Sequence, residues 1–212
     1  MKSYIQSTSR VEVKNSLNGH DTVGVPLLHL NTTEIISAVN KGIALVFASS
    51  GDTNGVVYYI GTNGLQVGFS NPHPAKITNS ALSVTQGSVT ILTDRQEQAF
   101  STSSSGDNWI KIDLGPTRTL AVNKYTLRNR GEGGWHIRNW NLQGSNDNTT
   151  WTNIDERTND STISSGGAWG AFDTPLSGAF RYLRVIMTGN NSSGNRELTI
   201  CEYEFYGILF ES

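Results

Sequence analysis

Gly, Ser, Thr and Asn supply roughly four in ten of the 212 residues of this chain, clustered between short β-branched and aromatic runs. No other feature constrains the fold as tightly. The clusters are turn formers, each with a backbone or side-chain reason to bend the chain. The runs between them have the length and residue types of strands. Long amphipathic helices draw on Ala, Leu, Glu and Lys, whereas charged residues here amount to 16%. From Ile43 onward the pattern is strand and turn: IALVFAS, GVVYYIGT, VTILTD, WIKIDLG, KYTLRN, NWNLQGS, WTNI, FRYLRVIM and LTICEYEFYG. That series predicts an all-β antiparallel sandwich or barrel. In FRYLRVIM, Leu183, Val185 and Met187 alternate against Arg184 and Ile186, as expected of a strand with one wet face.

Residues 1–43 differ from the rest and are expected to form an arm or docking extension, with the main domain over 44–212. SRVEVKN and VGVPLLHL read as short strands, with Pro26 at an edge or bend. NTTEIISAVNKG, residues 31–42, is the best helix candidate in the chain. It has Asn/Thr capping choices, Glu34 in the first turn, Ile35, Ile36 and Val39 on one side, and Gly42 as a stop.

The formal net charge is −2 and the isoelectric point about 6.1, so no global field draws the chain to nucleic acid or acidic membranes. A single cysteine, Cys201, sits in a strand pattern and is expected to be a buried small hydrophobe. No intramolecular disulfide can form, and MKSYIQSTSR lacks the apolar stretch of a signal peptide. The expected location is therefore a virion or the cytoplasm, without membrane insertion.

The motifs of common catalytic sites are missing. There is no G-x-S-x-G, no H-E-x-x-H, no paired C-x-x-C and no P-loop. His20, His29, His73 and His136 are scattered singly. GEGGWH is glycine-rich but lies between strands, so it does not open a helix toward a phosphate. One basic-aromatic cluster stands out, LRNRGEGGWHIRNW, with Arg128, Arg130, Glu132, Trp135, His136 and Arg138. Arg128 and Arg138 sit at strand ends, where an arginine ties loops together through carbonyls. Trp135 follows Glu132-Gly133-Gly134 with no alternating partner, so it is the candidate for a ligand-stacking ring.

An ordered set of features carries a resemblance. It comprises Asp113-Leu114-Gly115, Tyr125-Thr126-Leu127-Arg128, Arg138-Asn139-Trp140, Gly144-Ser145-Asn146-Asp147, Trp151 and Glu204-Phe205-Tyr206-Gly207, preceded by GDTNGVVYYIGTNG and NPHPAKITNSA. From about Ser50 to Ile208 the chain resembles the discoidin-like (coagulation-factor C-type) domains of the galactose-binding-like superfamily, especially those attached to BTB-domain proteins and HECT-type ubiquitin ligases. The resemblance implies an eight-stranded jelly-roll β-sandwich whose loops at one end hold sugars, lipids or protein segments without catalysis. It implies packing roles for Trp109, Trp140, Trp151 and Trp169. It also places Asp94 and Glu202 where some relatives hold a structural calcium. Phe69 stands where the family usually has Trp.

The leading expectation is a non-enzymatic module that binds a glycan or a protein surface through Trp135, His136, Arg130 and Glu132. The alternative is a structural or adaptor component of a large assembly, such as a phage virion or tail particle, docked through residues 1–43 and acting as a homo-oligomer. Alternation of Trp140, Leu142 and Gly144 puts Trp140 on an inward face, with SNDNTT as the turn to Trp151.

Overall fold

The computed structural model describes residues 10–14, 22–26, 42–48 and 54–212. Two antiparallel strands, β1 (Arg10–Lys14) and β2 (Thr22–Pro26), form a hairpin sheet of their own. The helix expected over residues 31–42 lies outside the described residues, as do His20 and His29.

The main body is a sandwich of two five-stranded sheets. One sheet holds β3 (Ile43–Leu45), β6 (Arg118–Asn129), β9 (Trp169–Asp173), β10 (Ala179–Phe180) and β12 (Ile200–Glu211). Within it, β12 lies between β3 and β6, while β9 and β10 follow one another along the other side of β6. The second sheet runs β4 (Thr78–Ala81), β5 (Trp109–Asp113), β11 (Tyr182–Met187), β7 (Trp140–Ser145), β8 (Thr152–Arg157). All pairings are antiparallel. This is the jelly-roll sandwich expected, an eight-stranded body with the short pieces β3 and β10 added.

The period-2 pattern explains the core. Ile110 and Ile112 of β5, Leu142 of β7, and Leu183, Val185 and Met187 of β11 are buried, and their neighbours in sequence are half-exposed. Facing them are Tyr125 and Leu127 of β6, Phe172 of β9, and Tyr203 and Phe205 of β12. Trp140 is fully buried, edge-on to Phe172 at 5.1 Å, and its indole N–H donates to the Tyr125 hydroxyl at 2.9 Å. That hydroxyl donates in turn to Asp155 at 2.7 Å, so the only polar atom of the indole is satisfied inside the core.

Two runs expected as strands are helices. GVVYYIGT forms α1 (Val56–Gly61), and VTILTD forms a 3-10 turn over Val89–Thr93. β-branched and aromatic residues favour strands, but tertiary packing overrides that preference. Val56, Val57 and Ile60 bury one side of α1. Its first N–H groups are satisfied from outside, by the carboxylate of Glu204. Ser88 caps the 3-10 turn by accepting from the Thr90 N–H. TNSA (β4) and WGAFD (β9) are strands not marked in the sequence pattern.

Strand β12 is buried on both faces from Ile200 to Leu209. Tyr203 and Phe205 point into the sandwich. On the other face, Glu202 meets Arg128, Glu204 meets α1, and Tyr206 packs edge-on against Phe47 at 5.3 Å. A bulge at Gly207 (φ +142°) lets β12 continue past Ala121, whose carbonyl oxygen a Cβ would overlap.

Candidate functional site

One end of the sandwich is built by the loops 82–88, 94–108, 130–139, 158–168 and 188–199, which join strands that end or begin there. The stretch 130–139 links β6 to β7 and is braced chiefly by the loop between β11 and β12. The Arg130 N–H donates to the Thr199 carbonyl at 3.0 Å, and the Arg130 carbonyl accepts from Gly167 at 2.9 Å. The Trp135 N–H donates to Ser193 Oγ at 3.2 Å, and the Trp135 carbonyl accepts from Thr199 Oγ1 at 2.7 Å. His136 donates to Ser192 Oγ at 2.9 Å and accepts from the Ser192 N–H at 2.9 Å.

The bracing loop is itself held by Asn191. Its Oδ1 accepts from Ser193 N–H at 2.9 Å, and its amide donates to Asn195 Oδ1 and the Glu197 carbonyl. Trp135 is thus positioned by groups nearly sixty residues downstream. Sequence reading missed Asn191, Ser192 and Ser193, whose only signal is the turn-former cluster GNNSSGN, and Glu197 just beyond it.

Trp135 is half-buried and adopts φ +53°, a left-handed conformation that costs a residue with a Cβ free energy. Beneath it lies Arg130, whose guanidinium carbon is 4.7 Å from the ring centroid. Arg130 was expected to reach a ligand. It is only 5% exposed, and its Nη1 donates to Ser101 Oγ at 2.5 Å and Gln86 Oε1 at 3.2 Å. Glu197 at 3.6 Å and Glu132 at 3.9 Å complete its surroundings. It is therefore a support under the indole. Glu132 is exposed at the tip.

His136 is half-buried, with its pKa held below the usual histidine value first by burial and then by the Arg138 charge. Its ring is thus neutral at physiological pH. Two buried side-chain nitrogens in this loop, Arg130 Nε and His136 Nε2, have no hydrogen-bond partner among the described residues.

Arg138 donates to the carbonyls of Asp160 and Ile163 at 2.9 and 3.0 Å, and Arg128 donates to the Gly167 carbonyl at 3.2 Å. Both tie loops together as their places at strand ends suggest. Arg128 also pairs with Glu202 at 2.8 Å and Glu97 at 2.5 Å, above Trp169. Glu202, one of the two candidate calcium ligands, is 2% exposed and engaged with that guanidinium. The other, Asp94, accepts from the Gln96 N–H at 2.9 Å and the Gln98 amide at 2.6 Å. Among the described residues no group of three or more His, Cys, Asp or Glu side chains is placed to hold a metal.

What this end offers is a supported indole rimmed by a carboxylate and a neutral imidazole. At the other end, a cleft of about 370 Å³ is lined by Tyr59, Lys76, Arg118 and Glu211. There Lys76 donates to the Ile60 carbonyl and Arg118 is tied to Glu211.

Comparison with known proteins adds family information. The model for the F5/8 type C domain matches residues 76–202. The E3 ubiquitin-protein ligase hecd-1 of Caenorhabditis elegans is 32% identical over 202 residues, covering 91% of this chain and 8% of that protein. A BTB/POZ domain-containing protein of Arabidopsis thaliana is 29% identical over 179 residues, covering 78% of this chain and 22% of its own length. The chain therefore spans less than a quarter of either relative.

Among solved structures, CpGH89CBM32-5 from Clostridium perfringens, in complex with GalNAc-β-1,3-galactose, superposes with a TM-score of 0.52 at 16% identity, covering 62% of this chain and 96% of that one. The family 32 CBM of C. perfringens NanJ, in complex with galactose, gives 0.50 at 16% identity, covering 62% and 94%. At such identity the likeness establishes the fold.

Proposed function

We propose that this chain, which belongs to the F5/8 type C domain family, is a non-catalytic recognition domain that binds carbohydrate at the end carrying Trp135. The observation that carries this reading is the half-exposed indole of Trp135, held in a left-handed backbone conformation and backed by the buried Arg130 guanidinium. Backbone strain of that kind persists where the surroundings enforce it, and it concentrates at binding sites. A sugar ring would stack on the outward part of the indole. Glu132, exposed at the tip, would accept from its hydroxyls, with the half-buried His136 packed beside the ring. The fold neighbours solved with GalNAc-β-1,3-galactose and with galactose support the ligand class. Affinity at one such site is modest, so the domain would act through several copies or attached modules.

The test is a glycan array followed by calorimetry on the wild-type chain, Trp135→Ala and His136→Ala. Binding that falls at least tenfold in Trp135→Ala supports the assignment. Unchanged binding removes it. A protein partner lost on the same substitutions, with no glycan bound by the wild type, moves the site to protein recognition. The alternative of an assembly component docked through residues 1–43 draws no support from the loop-end geometry.

A further inference from the structure

The outer face of the second sheet carries an electrostatic imbalance. Lys111 on β5 and Arg184 on β11 are directly paired across the strands, and both side chains point away from the core. Like charges directly opposite one another destabilise a sheet. Neither has a carboxylate within 4.0 Å among the described residues. Lys111 donates instead to Asn148 Oδ1 at 2.7 Å, and Arg184 to Gln143 Oε1 at 2.7 Å, both neutral amides. The nearest acid in the register, Asp113, is already taken by Arg181 in a bidentate pair at 2.7 and 2.8 Å. Neither cation therefore has an ion-pair partner of its own, with Asp113 acting on Lys111 only at longer range and Glu156 reaching Arg184 only through Asn153 and Gln143.

Aromatic rings hold them in place without cancelling them. Arg184 lies 4.0 Å from the Trp151 centroid, and Lys111 lies 5.2 Å from that of Trp109 and 5.9 Å from that of Tyr182. A π face steadies a cation but adds no negative charge. Desolvation is the largest influence on Lys111 and lowers its pKa, Asp113 pulls it back up, and the Arg184 charge lowers it further. The turn between β7 and β8 lies over part of this face, with Asn148 on Lys111 and Trp151 on Arg184, and both cations are half-buried beneath it.

We propose that this face binds an acidic polysaccharide, sulfated or built from uronic acids, with Lys111 and Arg184 taking the acid group and the Asn141 and Asn148 amides taking neighbouring hydroxyls. The ring faces are already occupied by the cations, which leaves little for a nucleobase to stack on. The amides flanking the charges suit a polyol better than a bare anion. This face is separate from the Trp135 loops, and the proposal stands whether or not that end binds sugar.

The experiment titrates the full chain at low salt with heparin, chondroitin sulfate and hyaluronan, with neutral dextran, oligodeoxythymidylate and polyglutamate as comparators. The expected result is binding of at least one acidic glycan and none of dextran, weakening as salt rises. Lys111→Gln/Arg184→Gln should weaken it at least tenfold. Gln143→Glu, which sets a carboxylate beside Arg184, should weaken it as well. Lys124→Gln, on the opposite sheet, should bind as the wild type does. Thermal midpoints of the double variant and of Gln143→Glu should equal or exceed the wild-type value, because repulsion is relieved. If the double variant is misfolded, Gln143→Glu decides alone. Failure of all three acidic glycans to bind overturns the proposal. So does a folded charge variant that binds within twofold of wild type, or an oligonucleotide or polyglutamate that binds as tightly as the glycans.

Discussion

The carboxylate of Glu204 accepts the Val57 N–H at 2.8 Å, joining strand β12 to the first turn of α1 across 147 residues of sequence. Tyr58 and Phe205 donate to the same carboxylate at 2.9 Å each, and Arg95 approaches it at 3.3 Å. Gly55 precedes the helix with no side chain to cap it, and a Cβ there would overlap the Glu204 carboxyl. The helix is capped by a residue from another element, which is why its own sequence carries no start signal. Glu204→Ala would strand three buried N–H groups and remove the Arg95 ion pair, and should cost about 3–5 kcal/mol in chemical denaturation.

Stability should also depend on pH through this residue. Burial is the largest influence on Glu204 and raises it from 4.5 to about 7, against the pull of Arg95 and the three N–H donors. An acid with a higher pKa folded than unfolded binds more protons in the native state. Its contribution is full below about 4.5 and is lost as pH rises through about 7. Denaturation midpoints measured across that window should fall with rising pH in the wild type. The slope should flatten in Glu204→Gln.

Trp140→Ala removes the largest fully buried side chain. It also leaves the Tyr125 hydroxyl without its indole donor. A loss of about 3–5 kcal/mol is expected from urea melts. Glycan binding per folded molecule should be retained, because Trp140 lies in the core and the loop end is organised around Trp135.

At Trp135 the backbone and the ring can be separated. With φ at +53°, Trp135→Gly should melt higher than Trp135→Ala, by a margin equivalent to about 1 kcal/mol. Both variants should lose glycan binding equally. A glycine variant that still binds would assign recognition to the backbone and not to the indole.

Cys201 is fully buried, and burial, with Glu202 next to it, pushes its thiol up to about 12. Ellman's reagent should therefore leave the native protein unlabelled and react fully once denaturant is added. Labelling of the native protein at a rate independent of its unfolding would contradict this placement.

The sandwich could be read from the sequence because alternation is a local signal. Leu183, Val185 and Met187 set one face of β11 by period alone, and Trp140 and Leu142 do the same for β7. The misread elements are those decided at a distance. VVYY is a helix because Glu204 caps it and Val56 and Val57 are buried. Glu202 and Glu204, two residues apart, look like a wet face and are both buried, since Arg128 and α1 cover them. At the candidate site, GEGGWH marked the loop that carries Trp135, a half-buried residue. What the sequence could not show is that Arg130 turns inward beneath the indole, because its partners Gln86, Ser101 and Glu197 are 44, 29 and 67 positions away, as their residue numbers give.

The placement of β12 bears on the order in which the fold can be completed. Of the twelve strands among the described residues it is made last by the ribosome, yet it occupies an interior position between β6 and β3 and supplies the carboxylate that closes α1. Until those residues emerge, β6 keeps one edge open and α1 lacks its cap, so the nascent sandwich waits as an incomplete shell with exposed edges of the kind that aggregate.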